Sequence, residues 1–375
     1  MRYTYGPFDG NEFPTMDSLG AFENLIDFVL QYGEQALDAL EDVDDETARM
    51  LQQLLDQGLL EKARGKWRLT PRAISQMQRR ALMEIFQNLR RSARESHPTR
   101  ETGTRGERTD GTRAYQFGDA LSDLDLHATL SNSLARCGPG LPIRIAERDF
   151  ELFHVEGQAS LATVILLDMS GSMYRYNRFF AAKKVAMAVH ALIKQAFPAD
   201  SLDLVGFAST AEQIEEGKLP LLMPKPVTVH DWQVRVVTPL SKAADAPQHF
   251  TNLHMGLMMA RRILSRRGSE NKQIFIITDG QPTAHLEGDI LHLLYPPDRR
   301  STIATLKEAL NCARQGIRIA TFALIEDYEG MEWVSFVDQL TRLVKGTAFY
   351  TTSGDLAGCV MESYMSGRRK RAFLS

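Results

Sequence analysis

Apolar positions along the chain follow two regimes. From Ala162 onward, short continuous apolar runs alternate with segments whose apolar residues recur every three to four positions. The runs Thr163–Leu167, Leu202–Phe207, Gln273–Thr278 and Ile317–Leu324, with a weaker one at Thr347–Tyr350, predict strands. Phe179–Phe197, Leu253–Leu264, Thr302–Arg314 and Trp333–Leu343 predict helices between them. Strands without polar alternation are buried on both faces, so the pattern predicts an α/β fold, a doubly wound, mostly parallel sheet flanked by helices.

The first ninety residues have only the helical period, at Phe22, Leu25, Ile26, Val29 and Leu30 and again at Met50, Leu51, Leu54, Leu55 and Leu59. Leu60–Leu69 reads as two short extended arms around Arg64-Gly65, and Thr70-Pro71 opens an amphipathic helix over Ala73–Leu89. Helix, hairpin, helix is the layout of a winged-helix-like module. Arg64, Lys66 and Arg68 on the hairpin suggest nucleic-acid contact, but the acidic run Glu41–Glu46 would repel phosphate and favours a docking domain.

Residues 1–89 are therefore expected to form a smaller helical N-terminal domain. Residues 90–114 read as a basic, disordered linker, with seven arginines, four acids and almost no large apolar side chain in Arg90–Arg113. Residues 115–160 read as a helix over Leu121–Leu134 and edge strands at Ile143–Ile145 and Phe150–Val155, leading into the main domain at 161–352. Residues 353–375 read as a C-terminal helix and a solvated basic tail, Gly367–Arg371.

Composition narrows the setting. The net charge of −3 gives no bulk attraction to nucleic acid or membrane. Three cysteines without a CxxC pair fit reduced thiols of a cytoplasm. The first residues have no apolar signal core, and no apolar run approaches the ~20 residues that span a bilayer. The expectation is a soluble cytoplasmic protein.

The candidate chemistry lies where the strands end. Asp168-Met-Ser170-Gly-Ser172 follows the first strand, Asp279-Gly280 follows the third, and Phe250-Thr251-Asn252 leads into the helix at Leu253. Ligands of open α/β sheets bind beyond the carboxyl ends of the strands, and clustered neutral oxygens beside carboxylates suit a hard divalent cation. Each piece also has an ordinary reading. Thr251 reads as a helix cap, Asp279-Gly280 as a turn, and the two serines as caps of the next helix.

The ordered set Asp168, Ser170, Ser172, Thr251 and Asp279 resembles the metal-ion-dependent adhesion site (MIDAS) of von Willebrand factor type A (vWA) domains, over roughly 161–352. The segments Tyr115–Asp119, Asp123–His127 and Asn271–His285 are similar to those of the bacterial intracellular members. The resemblance implies a Rossmann-like fold and a bound Mg²⁺, with Mn²⁺ or Ca²⁺ as substitutes. It implies direct ligation by Ser170 and Ser172, direct or water-mediated ligation by Thr251, and water-mediated roles for Asp168 and Asp279. An ion held mainly by neutral oxygens keeps its charge and takes a carboxylate from outside, so the implied partner is a protein offering Asp or Glu. Relatives of this type are associated with AAA+ ATPases of the MoxR or magnesium-chelatase-like kind. Gln281 departs from the acid that many relatives carry after the Asp-Gly pair.

An enzyme is not expected. A haloacid-dehalogenase-like phosphotransferase needs an acid two residues past the strand-terminal aspartate, where this chain has Ser170. Neither a Gly-x-Ser-x-Gly elbow around Ser170 nor a Gly-x-x-x-x-Gly-Lys-Ser/Thr loop is present. His254, beside Thr251, is within reach of the metal crevice but reads rather as a surface histidine, and His285 and His292 are expected in the loop after the Asp279 strand, where a partner can read them. Arg261-Arg262 and Arg266-Arg267 read as a solvated helix face, and Met255, Met258 and Met259 as helix core.

Overall fold

The computed structural model describes residues 16–41, 45–63, 65–95, 112–114, 125–138, 145–153, 160–269, 271–326 and 331–369. In the N-terminal region α1 (Met16–Tyr32), α2 (Glu34–Asp38) and α3 (Asp45–Asp56) precede the hairpin β1 (Leu60–Ala63) and β2 (Lys66–Leu69), then α4 (Pro71–Glu95). The hairpin forms as its sequence predicts, while Arg64 lies outside the described residues. Helix α4 runs on to Glu95, six residues into the stretch read as linker, because Gln87–Glu95 contains no helix breaker. Residues 96–111 lie outside the described residues.

The described residues of 93–159 form a compact unit of their own. There β3 (Thr112–Ala114) pairs antiparallel with β4 (Glu151–Phe153), beside α5 (Leu126–Cys137). Three residues assigned to the linker are thus a strand. Asp125 caps α5 by accepting from the backbone N–H groups of His127 and Ala128 at 2.9 and 3.1 Å. Arg136 grips Asp149 through two bonds of 2.8 and 2.6 Å, which hold that carboxyl down at about 2. Ile145 lies outside any strand, and residues 115–124 and 139–144 lie outside the described residues.

The described residues of 1–92 and 160–375 form the other unit. Its sheet is assembled from β5 (Leu161–Asp168), β6 (Ser201–Phe207), β7 (Ala211–Ile214), β9 (Asn271–Thr278), β12 (Ile317–Leu324) and β13 (Thr347–Thr351). The order is β13-β12-β9-β5-β6-β7, parallel except for the edge strand β7. Helices α6 (Arg178–Ala196) and α10 (Leu356–Arg369) cover one face; α7 (Leu253–Ser265), α8 (Arg299–Arg314) and α9 (Met331–Val344) cover the other. Strand β5 serves both cores, with Leu161, Ile165 and Leu167 toward the first and Ala162, Val164 and Leu166 toward the second, all buried. The mostly parallel, helix-flanked sheet agrees with the fold class read from the sequence.

A second sheet was not anticipated. Strands β8 (Val234–Pro239), β10 (Ala284–Glu287) and β11 (Ile290–Tyr295) form an antiparallel sheet in the order β10-β11-β8. Gly288 turns the β10–β11 hairpin at φ +60°. His285, buried, and His292, largely buried, therefore stand on strands rather than in a partner-facing loop. Of the four arginines read as a solvated helix face, Arg262 and Arg266 are exposed, whereas Arg261 on α7 and Arg267 just past its end are paired. Arg261 pairs with Glu308 at 2.6 Å and Arg267 with Asp203 at 2.7 Å, both carboxylates being almost fully buried.

The N-terminal helices share one apolar core with α6 and β5. Lys183 of α6 is fully buried and donates to the carbonyls of Leu30 (2.6 Å), Leu222 (2.8 Å) and Pro220 (3.1 Å). It thereby fastens the carboxyl end of α1, where orphan carbonyls and the helix dipole favour a cation, to the main domain. Three acceptors favour the ammonium form, yet burial lowers its pKa to about 7.

Candidate metal centre

The site begins with strand register. Leu167 pairs with Ile277 and Asp168 with Phe207, so the ends of β5, β6 and β9 stand side by side. Asp168 is fully buried at that edge and accepts from the Ser170 backbone N–H (2.8 Å) and the Thr278 hydroxyl (2.5 Å). Burial and the nearby Asp279 carboxylate together push its pKa up to about 7, against the smaller opposing effect of these bonds.

Past Asp168 the chain hugs its neighbours. The Met169 N–H donates to Phe207 O at 2.7 Å, and the Gly171 N–H to His249 O at 3.1 Å. A Cβ on Gly171 would lie 2.5 Å from Val227 Cγ2 and 3.3 Å from His249 Cβ, so glycine permits this approach. The Ser170 and Ser172 hydroxyls stand 3.1 Å apart, and Ser172 donates to Asp279 Oδ1 at 2.7 Å. Asp279 Oδ2 accepts from Arg178 at 2.7 Å in a pair whose carboxylate is buried. Ser170 is buried and Ser172 exposed, so the chain of oxygens runs from the interior to the surface.

Thr251 reaches the same edge through its backbone. Its carbonyl accepts from the Thr283 and Ala284 N–H groups at 3.0 and 3.1 Å, and its N–H donates to the Thr283 hydroxyl at 2.8 Å. Asn252, not Thr251, caps α7, accepting from the Met255 N–H at 3.0 Å. The two serines make no side-chain cap either. The 3-10 turn Gly171–Asn177 separates them from α6, and neither Ser170 nor Asn177 caps by its side chain. His254 is engaged away from this edge, its Nδ1 accepting from the Leu286 N–H at 3.1 Å.

The structure thus joins Asp168, Ser170, Ser172 and Asp279 in one hydrogen-bonded series, with the Thr251 backbone in the adjoining loop. The spacing suits a six-coordinate ion, because cis oxygens on Mg²⁺ at about 2.1 Å stand about 3.0 Å apart. Arg178 was missed in the sequence. It opens α6, also lies over the Tyr176 ring at 5.0 Å, and carries no local signal of its partner 101 residues away.

Comparison with known proteins agrees with this architecture. Residues 161–365 match the family described as Rv0959-like protein, vWA domain. The chain belongs to the Rv0959-like family of vWA-domain proteins. Residues 107–154 of this Rv0959-like chain match the third domain of the same family, within the separate unit described above. Rv0959 of Mycobacterium tuberculosis (strain H37Rv) is 31% identical over 350 residues, which is 91% of this chain and 47% of that protein. Mb0984 of Mycobacterium bovis gives the same figures. The chain therefore spans about half the length of the curated relatives it matches. Among solved structures, the PilB minor pilin from Streptococcus sanguinis has a TM-score of 0.44 at 14% identity, covering 59% of this chain and 64% of that one. The SpRpn10 VWA domain has a TM-score of 0.34 at 17% identity, covering 54% and 94%.

Proposed function

We propose that this vWA domain is a metal-dependent protein-docking module, and that Ser170, Ser172, Thr251, Asp168 and Asp279 hold a divalent ion, Mg²⁺ first and Mn²⁺ or Ca²⁺ as substitutes. The observation that carries the reading is the series Asp168–Ser170–Ser172–Asp279, which reaches the surface at the exposed Ser172 hydroxyl, 3.1 Å from the Ser170 hydroxyl, close to an octahedral edge, and 2.7 Å from Asp279. When bound, the ion supplies a positive centre with a coordination position for a carboxylate from another protein.

The residues around it favour that use. Neutral hydroxyls do not quench the charge of the ion, and Arg178 compensates Asp279, so the edge remains attractive to an incoming anion. Tyr174 and Tyr176, both well exposed beside the serines, offer aromatic contact area to a docked protein. Ser170 stands where phosphoryl transfer through Asp168 would need an acid, which supports binding rather than catalysis.

The partner proposed is an AAA+ ATPase of the MoxR type presenting an Asp or Glu, on the resemblance of this chain to bacterial intracellular vWA proteins. The proposed setting is cytoplasmic, where the three free thiols remain reduced. Among the described residues no helix is long and apolar enough to cross a membrane. The test is capture of a candidate ATPase by the full chain in Mg²⁺ and in EDTA. The reading expects capture in Mg²⁺ alone, lost in Asp168→Ala and Ser170→Ala. Equal capture by folded Asp168→Ala, or capture in EDTA, would overturn it.

A further inference from the structure

The hairpin of β10 and β11 carries a second group of metal-binding side chains. His285 and His292 are direct cross-strand partners, and Glu287 lies two positions beyond His285, so all three share one face. We infer that His285, Glu287 and His292 form a transition-metal site, separate from the oxygen-lined edge and suited to Zn²⁺.

Geometry supports this first. The ligand atoms all lie within 4.8 Å of one another, with His285 Nε2 at 3.3 Å from Glu287 Oε1 and His292 Nε2 at 3.7 Å from Glu287 Oε2. Ligands on a tetrahedral Zn²⁺ with bonds of about 2.0–2.1 Å stand about 3.4 Å apart. The 3.7 Å separation exceeds a hydrogen bond, and among the described residues it is the one polar contact of the His292 side chain. The Nδ1 of that ring is buried without a hydrogen-bond partner. Two nearly parallel imidazoles, 4.9 Å apart, are thus aligned beside one carboxylate, His285 bonded to Ser301 and Glu287 and the His292 ring without a hydrogen bond of its own.

The surroundings match a metal site in two further respects. His285 Nδ1 lies 2.9 Å from the hydroxyl of Ser301, itself fully buried on α8, which orients the ring so that Nε2 faces Glu287. Glu287 is 56% exposed, so an ion can enter from solvent and a fourth position can hold water. Two imidazoles with one carboxylate favour Zn²⁺ over the hard cations expected at Asp168 and Ser170. An ion here would pin the hairpin, whose root is bonded to Thr251 through Thr283 and Ala284.

The test titrates Zn²⁺ into the full chain against a chromogenic chelator, with Mg²⁺ in excess, and records the visible spectrum of the Co²⁺-substituted protein. The expected result is one Zn²⁺ per chain and a four-coordinate Co²⁺ spectrum, both unchanged in Ser170→Ala. Glu287→Gln, at an exposed position that leaves the fold intact, should weaken Zn²⁺ at least about tenfold, and His292→Asn about a hundredfold. Zn²⁺ affinity within about twofold of the original chain in both variants would overturn the assignment. So would a Co²⁺ spectrum that remains six-coordinate.

Discussion

Arg178 gives the sharpest quantitative handle on the candidate centre. Its guanidinium lies 2.7 Å from Asp279 Oδ2, with side-chain exposures of 11% and 0%. Coulomb's law at an effective dielectric of about 20 gives about 6 kcal/mol of attraction at that distance. Desolvation offsets part of it, but removing one member of a buried pair still costs about 3–5 kcal/mol, since a buried charge is left alone. Arg178→Gln keeps a donor beside Asp279, so the lower end applies, about 3 kcal/mol. For a domain of 150–250 residues this lowers Tm by about 6–12 °C. The value applies in EDTA. A divalent ion at the same edge compensates Asp279 in place of the guanidinium, so the variant gains more from the ion than the parent does. Thermal unfolding followed by circular dichroism, in EDTA and in saturating Mg²⁺, should show the gap between variant and parent falling by at least about half. An equal gap in both buffers, or none in EDTA, would refute the electrostatic account of the site.

Three further outcomes follow from the packing. Lys183 has a folded pKa near 7, below its unfolded 10.5, so between those values the unfolded chain binds more protons and stability rises with pH, by up to about 1.4 kcal/mol per unit. Below pH 7 both states hold the proton and the slope vanishes; Lys183→Met should abolish the slope, as urea unfolding at pH 7, 8 and 9 will show. Gly33 turns α1 into α2 at φ +61°, and a Cβ there would lie 2.4 Å from Leu221 O. Gly33→Ala should cost about 2–4 kcal/mol and raise amide exchange in α1 before that in β5. Gly171→Ala meets the exposed Val227 rather than rigid backbone, so it should cost about 1–3 kcal/mol of stability, while weakening Mg²⁺ binding.

The main sheet was legible because its strands are continuous apolar runs buried on both faces. The sequence read Ile317–Leu324 at its observed limits, and β5 and β9 extend their predicted runs by one to three residues. Strand β7, Ala211-Glu-Gln-Ile214, escaped notice because an edge strand of four residues with two exposed polar side chains has no core signature. The hairpin of β10 and β11 escaped for a related reason. Leu291 and Leu293 alternate inward, but His285, Glu287 and His292 occupy the opposite face and gave the stretch the look of a polar loop. Its third strand, β8, pairs across some fifty residues, a contact that no local pattern encodes.

The five candidate residues could be read because strand-terminal positions in a parallel sheet point to one edge, and register then brings Asp168 and Asp279 together. What could not be read was their surroundings. Arg178 shows no local sign that it faces Asp279, and Arg261 and Arg267 look like any solvated helix cations until Glu308 and Asp203 appear beneath them. Lys183, in the midst of an apolar helix, gave no hint that three carbonyls from two other segments close around it.

The central claim is that hydroxyl and carboxylate oxygens at the ends of β5 and β9 hold a divalent ion. Mn²⁺, titrated into the full chain and followed by the loss of its free-ion paramagnetic resonance signal, tests this most directly. The account predicts one Mn²⁺ per chain displaced by Mg²⁺, and its disappearance in Ser170→Ala and Asp168→Ala with the circular dichroism of the parent retained. Mg²⁺-displaceable Mn²⁺ binding of equal strength in both variants would contradict it.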